Sequence, residues 1–283
     1  MSRLLFIKEG VAIWSSHLDL MRALMRSFRR AGIDLKHSQG FTPHPELSIL
    51  MPLSVGVESQ CEIAEFTLAV GCAIPAEEIV PRLAPVLPAG LQALESYEGG
   101  QKTGKLAWLR ARLTLVYQGS EDGGTDSSTP LRSPFDFAQG KAENDRIEAL
   151  TALFERPSLI VEKHGKKGPT ELDIAPMIRE FKAFPLGPTG RGPVGDFNVV
   201  APATPEQLTS SSRSCPSAHT GADEGMSDEQ TGIVIEAVVA AQNPTLNPLL
   251  LATAIETHLP EHRPDRVQCR RLEIYDAEMN VFR

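Results

Sequence analysis

Apolar and polar positions change period several times along the chain, and those changes predict its elements. Leu4 to Lys8 reads as a strand that Val11 to Trp14 continues after a turn at Glu9-Gly10. From Ser16 to Ala31 the period becomes helical. Leu18, Met21, Met25 and Phe28 fall on one stripe, and Asp19, Arg22, Arg26, Arg29 and Arg30 on the other side. Gly32 caps the helix. Leu35 to Phe41 is extended, and the rings of Pro43 and Pro45 push the residue before each out of the helical region, so Thr42 to Pro45 is a stiff loop. Leu47 to Pro52 predicts a short strand, and Glu62, Ala64, Phe66, Leu68 and Val70 mark an alternating one. Ala76 to Leu87 predicts a helix and Leu91 to Tyr97 a strand. Strand, helix, strand, strand, helix, strand is the ferredoxin-like order.

Weaker signals repeat that order. Leu106 to Tyr117 predicts a strand, Asp145 to Glu155 a helix, Leu159 to Lys163 a strand, and Glu171 to Ile178 an extended or turn-rich stretch. Ile233 to Val239, Pro248 to His258 and Val267 to Tyr275 follow as strand, helix and strand. The expected fold is therefore α+β, with two ferredoxin-like (βαββαβ) halves at 1–100 and 104–283. It rests on element order, since the halves share no convincing identity. Segments 119–144 and 187–231 have the Gly, Pro and Ser content of flexible insertions, and are expected to be disordered.

Composition narrows the function classes. With 283 residues and 41% hydrophobic content the chain can bury one large or two modest cores. A net charge of -8 argues against a generally basic coat, so any nucleic-acid surface must be a local patch. The apolar runs Leu4 to Ile7 and Leu249 to Leu251 are too short to span a bilayer, and the N-terminus lacks a signal pattern. A cytoplasmic protein without a membrane partner is expected. Cys61, Cys72, Cys215 and Cys269 are scattered, with no CxxC pair or close triplet. They read as free thiols, and no metal or other cofactor is assigned to this chain.

Chemistry is densest between Ser16 and Pro45. Ser16 and Asp19 have capping-box spacing, which by itself accounts for both. His17 then lies in the first helical turn, where the helix dipole disfavours imidazolium. A neutral imidazole can bind a metal, relay a proton or stack on a base. His44 sits in the proline-stiffened loop. Should that loop fold over the helix N-terminus, His17, His44 and Asp19 or Glu58 would form a cluster suited to zinc or iron. His17 and His44 are thus the catalytic candidates. Arg22, Arg26 and Arg29 or Arg30 project along one helix face, either as a solvated surface or as a phosphate-tracking one. Lys166 and Lys167, in a glycine-flanked basic turn, suit phosphate contact or solubility alike. Gly187 to Gly192 lacks the Lys-Ser/Thr ending of a nucleotide loop, and no nucleophile elbow or zincin helix appears.

Ser16-His17-Leu18-Asp19-Leu20-Met21-Arg22, Arg30-Ala31-Gly32, Ser38 to Pro45 and Pro52 to Ser59 together resemble the radical-SAM-associated domain family of unknown function. Glu171 to Ile174 and Asn243 to Pro248 echo it more loosely. Both insertions depart from that pattern, as does Ala175, where an arginine is expected. The resemblance implies a partner, a cobalamin-binding radical SAM protein that would hold the S-adenosylmethionine, iron-sulfur cluster and cobalamin. Members are encoded near ribosome and RNA-processing functions, which implies an RNA substrate. The expected function is an accessory RNA-binding module whose surface comprises His17, Arg22, Arg29, Arg30, Gln39, Phe41 and His44, with Lys166 and Lys167. Two alternatives stay open: a metal-dependent hydrolase or acid-base ribonuclease using His17 and His44, and a protein-interaction scaffold.

Overall fold

The computed structural model describes residues 1–117, 134–165, 168–187, 231–242 and 244–283. Its first unit runs β1 (Ser2–Lys8), α1 (His17–Arg30), β2 (Leu47–Leu50), β3 (Val57–Phe66), α2 (Ala76–Leu83) and β4 (Leu91–Glu98). These strands lie in the order β4-β1-β3-β2, every neighbour antiparallel. The second unit runs β5 (Leu106–Tyr117), α3 (Pro134–Phe154), β6 (Ile160–Gly165), β7 (Gly168–Asp173), β8 (Ile178–Pro185), β9 (Thr231–Ala240), α4 (Leu249–His258) and β10 (Arg266–Asp276). Here the order is β10-β5-β9-β8, again antiparallel, while β6 and β7 form a separate hairpin. The result is a mixed fold of helices on a mostly antiparallel sheet.

The two units share that sheet through one edge. Strand β3 is longer than β2, which pairs only from Leu47 opposite Phe66 to Leu50 opposite Ile63. The free stretch of β3 is taken by β10 in a parallel pairing, Cys269 opposite Val57 through Arg271 opposite Ser59. An eight-stranded sheet results. A short β2 is thus what opens a docking edge, because unpaired backbone groups on a strand recruit another strand.

Strand alternation distributes the core. Leu4, Phe6, Ala64 and Phe66 face Leu20, Leu24 and Phe28 of α1 and Ile79 and Leu83 of α2. On the opposite face Leu5, Cys61 and Ile63 join a larger cluster with Leu109, Leu113, Ile235 and Val239, covered by Leu150 and Leu153 of α3, Leu251 and Ile255 of α4, and Phe282. Apolar packing therefore crosses the seam between the units. Among the described residues no helix is long and apolar enough to cross a membrane.

Several expectations change. Val11 to Trp14 forms a 3-10 turn, Gly10–Trp14, rather than a continuing strand; Gly10, at φ 53°, breaks the extended backbone. The buried stripe of α1 is Leu20, Leu24, Ser27 and Phe28 with Met21 and Met25 at its margin, while Leu18 is exposed. The first helical turn carries Leu18 away from the sheet. Helix α3 begins at Pro134, inside the stretch 119–144 expected to be disordered. Ile178–Pro185 is a full edge strand that the sequence pattern hid, because its exposed and half-buried positions do not alternate cleanly. Residues 118–133 and 188–230, expected to be flexible, lie outside the described residues.

Candidate functional site

At the seam, strand ends from both units converge on a charged cluster. Lys8 ends β1, Glu62 lies within β3 and Arg271 within β10, and all three are buried. Arg271 Nη1 donates to Glu62 Oε1 at 2.9 Å and to the Met51 carbonyl oxygen at 2.9 Å. Met51 is held at φ 53°, in the left-handed region that side chains other than Gly seldom occupy. Lys8 Nζ donates to the Ile13 carbonyl oxygen at 3.3 Å. Glu62 Oε2 and His17 Nδ1 are buried with no hydrogen-bond partner among the described residues.

Electrostatics couple these groups. Burial pushes the Glu62 carboxyl above the usual carboxylate range, against the pull of Arg271, the Ser59 hydroxyl, Lys8 and His17. Burial likewise lowers Lys8, with Glu62 opposing. A second pair crosses the seam alongside, Arg270 Nε donating to Glu58 Oε2 at 2.6 Å.

The cluster borders a cavity of about 380 Å³ between the units. Its walls are Met51 to Ser54 from the first unit and Thr245 to Pro248 from the second, with Cys269 and Arg271 from β10. Asn247 Nδ2 donates to Ser54 Oγ at 3.3 Å, joining the two walls. Burial pushes the Cys269 thiol up to about 12, so it is no nucleophile at neutral pH. Among the described residues no group of three or more His, Cys, Asp and Glu side chains could hold a metal ion.

The residues picked from sequence are spread over separate places. Ser16 is the N-cap of α1: Asp19 N donates to Ser16 Oγ at 3.2 Å, and Ser16 Oγ donates to Asp19 Oδ2 at 2.6 Å. The Ser16 hydroxyl, first, and the Ser16 backbone amide both hold the Asp19 carboxyl below its ordinary value, the reciprocal pattern of a capping box. His17, its Nδ1 buried, lies near enough to the seam cluster to act electrostatically on Glu62. His17 opens α1, whose 14 residues span about 21 Å, whereas His44 belongs to the loop that follows the C-terminal end of that helix. There it staples its own loop, pairing with Ser38 Oγ through Nδ1 at 2.9 Å and through its backbone N–H at 3.2 Å. The two histidines are not brought together, because the hairpin of His37 and Pro45 holds the loop beside the C-terminal end of β3.

That stapled loop displays Gln39, Gly40 and Phe41 to solvent, and Phe41 is 110% exposed. On α1, Arg22 pairs with Asp19 at 3.3 Å and Arg30 donates to the Val86 carbonyl oxygen at 2.6 Å. Arg26 and Arg29 are exposed, with no hydrogen bond or ion pair among the described residues. Lys166 and Lys167 lie outside the described residues.

Sequence reasoning passed over Lys8, Glu62 and Arg271. A signal existed: Glu62 shares the inward parity of Ala64 and Phe66, and Lys8 that of Leu4 and Phe6. A charge at an inward strand position is costly unless paired, and so marks a built site.

A search of curated proteins found no match. Residues 2–189 match the model of a family described as an uncharacterized protein conserved in bacteria (DUF2344), which takes in the whole first unit, α3, the β6-β7 hairpin and β8. The match spans more than half of the sequence, and the chain belongs to this uncharacterized bacterial family.

Proposed function

We propose that the chain is an accessory module that binds single-stranded RNA and presents it to a cobalamin-binding radical SAM enzyme. The observation that carries the RNA half is Phe41: a wholly exposed aromatic ring on a loop pinned by His44 and Ser38. A solvent-facing ring costs solubility and contributes nothing to the core, whereas unpaired bases stack on such rings. Arg26 and Arg29, exposed on the helix that leads into this loop, suit the phosphates beside the stacked base. The enzyme half rests on the motif resemblance of Ser16 to Arg22 and Ser38 to Pro45. That enzyme would supply S-adenosylmethionine, iron-sulfur and cobalamin chemistry. Read as two ferredoxin-like halves, the second with the β6-β7 hairpin added, the mostly antiparallel sheet is a platform that supports RNA binding by fold analogy alone.

Fluorescence anisotropy with a labelled single-stranded RNA tests the reading. Phe41→Ala should weaken binding by about tenfold, in line with the usual worth of one stacked base. Arg26→Gln and Arg29→Gln should each lower the salt slope by about one. Absence of RNA binding at low salt, with and without the radical SAM partner, would end the RNA half. Partner binding that needs Phe41 but ignores salt and RNA would replace it with protein docking.

A further inference from the structure

The seam cavity points to a second binding site, unrelated to the Phe41 loop. We infer that it takes a small molecule bearing an oxyanion, a carboxylate or a phosphate ester, with an apolar body. The oxyanion would meet Arg271, and the body would lie along Met51, Leu53, Leu246 and Pro248.

Charge is the first argument. Burial works against the charged forms of both Lys8 and Glu62, whereas the buried Arg271 guanidinium keeps its charge. A buried cation is tolerated where anionic or acceptor groups meet it. Donor geometry is the second. Both protein acceptors of Arg271, Met51 O and Glu62 Oε1, are engaged by Nη1. Nε and Nη2 have no acceptor among the described residues, yet they are not sealed in protein, and the residue lines the cavity. The free edge of a guanidinium offers the parallel N–H pair that oxyanions prefer. Glu62 and the strained Met51 carbonyl hold that edge in orientation, as a preformed site requires.

The cavity itself is the third. About 380 Å³ lies within the range of small-molecule sites, and mostly apolar walls with a few polar groups are their usual lining. Ser54 and Asn247 stand at the walls as further polar groups. Both units contribute, so the site exists only when β10 is docked on β3.

Titration calorimetry and thermal shift on the full chain test this with benzoate, phenyl phosphate and adenosine 5′-monophosphate, against benzyl alcohol and adenosine as uncharged controls. Saturable binding of at least one anion, with the controls about tenfold weaker or silent, is expected. Preference for benzoate or for the phosphate esters identifies the oxyanion. Ser54→Trp, an exposed position outside the ion pair, should block the mouth and abolish binding in a folded chain. Arg271→Lys should weaken it by about tenfold or more. No binding of any anion, equal binding of the uncharged controls, or unchanged binding to the Ser54→Trp chain would overturn the site. RNA binding through Phe41 is untouched by each of these outcomes.

Discussion

Arg271 and Glu62 meet 2.9 Å apart across the parallel seam, with side chains 7% and 0% exposed, and this contact links the closing strand of the chain to the middle of its first unit. They lie 209 positions apart in a chain of 283 residues. Such a pair is demanding: each member is tolerable only while the other is present.

Removing one partner should therefore cost more than removing both. Arg271→Met alone is expected to destabilise the chain by about 3–5 kcal/mol, since it strands Glu62 in the interior. Arg271→Met combined with Glu62→Met should recover much of that loss. Urea denaturation of the two single variants and the double variant supplies the cycle. Additive losses would mean that the pair is not coupled.

Glu62 also sets a pH dependence. Its folded pKa is raised by burial, so the folded chain holds this proton more tightly than the unfolded chain. The resulting stability is fully present below the unfolded value, about 4.5, and is lost as pH rises through the higher folded value. Glu62→Gln keeps an acceptor for Arg271 and removes the titration. Its stability relative to the parent chain should rise as pH climbs from about 4 to about 8. Denaturation midpoints across that range check the sign, and parallel curves would refute it.

The Ser16 cap should behave as an ordinary one. Ser16→Ala removes the acceptor of the Asp19 backbone N–H and should cost about 1 kcal/mol. Anisotropy with single-stranded RNA should be unchanged in this variant, because Phe41 and Arg29 lie toward the far end of α1.

Gly90 faces a harsher test. It sits at φ 84°, and a Cβ there would lie 2.3 Å from the Glu9 carbonyl oxygen. The strand cannot retreat freely, since Glu9 N donates to the Gly90 carbonyl oxygen at 2.8 Å. Gly90→Ala should cost about 1–3 kcal/mol or more. Gly71, at φ 89° with open space around it, is the control, and Gly71→Ala should cost less. Thermal melts of both variants decide this, and equal losses would show that strain alone, without the clash, sets the cost.

Local pattern was enough for most elements, because each depends on neighbours in the chain. The alternation around Ala64 and Phe66 made β3 legible, and Ser16 with Asp19 announced the start of α1. Phe41 and the proline-stiffened loop could be singled out for the same reason, although the staple by His44 could not. The pattern misled where a tertiary neighbour decided exposure. Leu18 has the period of a core residue and lies in solvent, and Ile178–Pro185 pairs as an edge strand without a clean alternation of its own.

The sequence by itself determined most of the strands and helices, though not the 3-10 turn Gly10–Trp14 or the strand Ile178–Pro185, since period and capping are properties of adjacent residues. Only the tertiary structure decided that β10 would dock beside β3, that His17 would come within electrostatic reach of Glu62, and that Arg271 would border a cavity. Those relations join residues far apart in the chain, through burial and charge pairing that no local window contains.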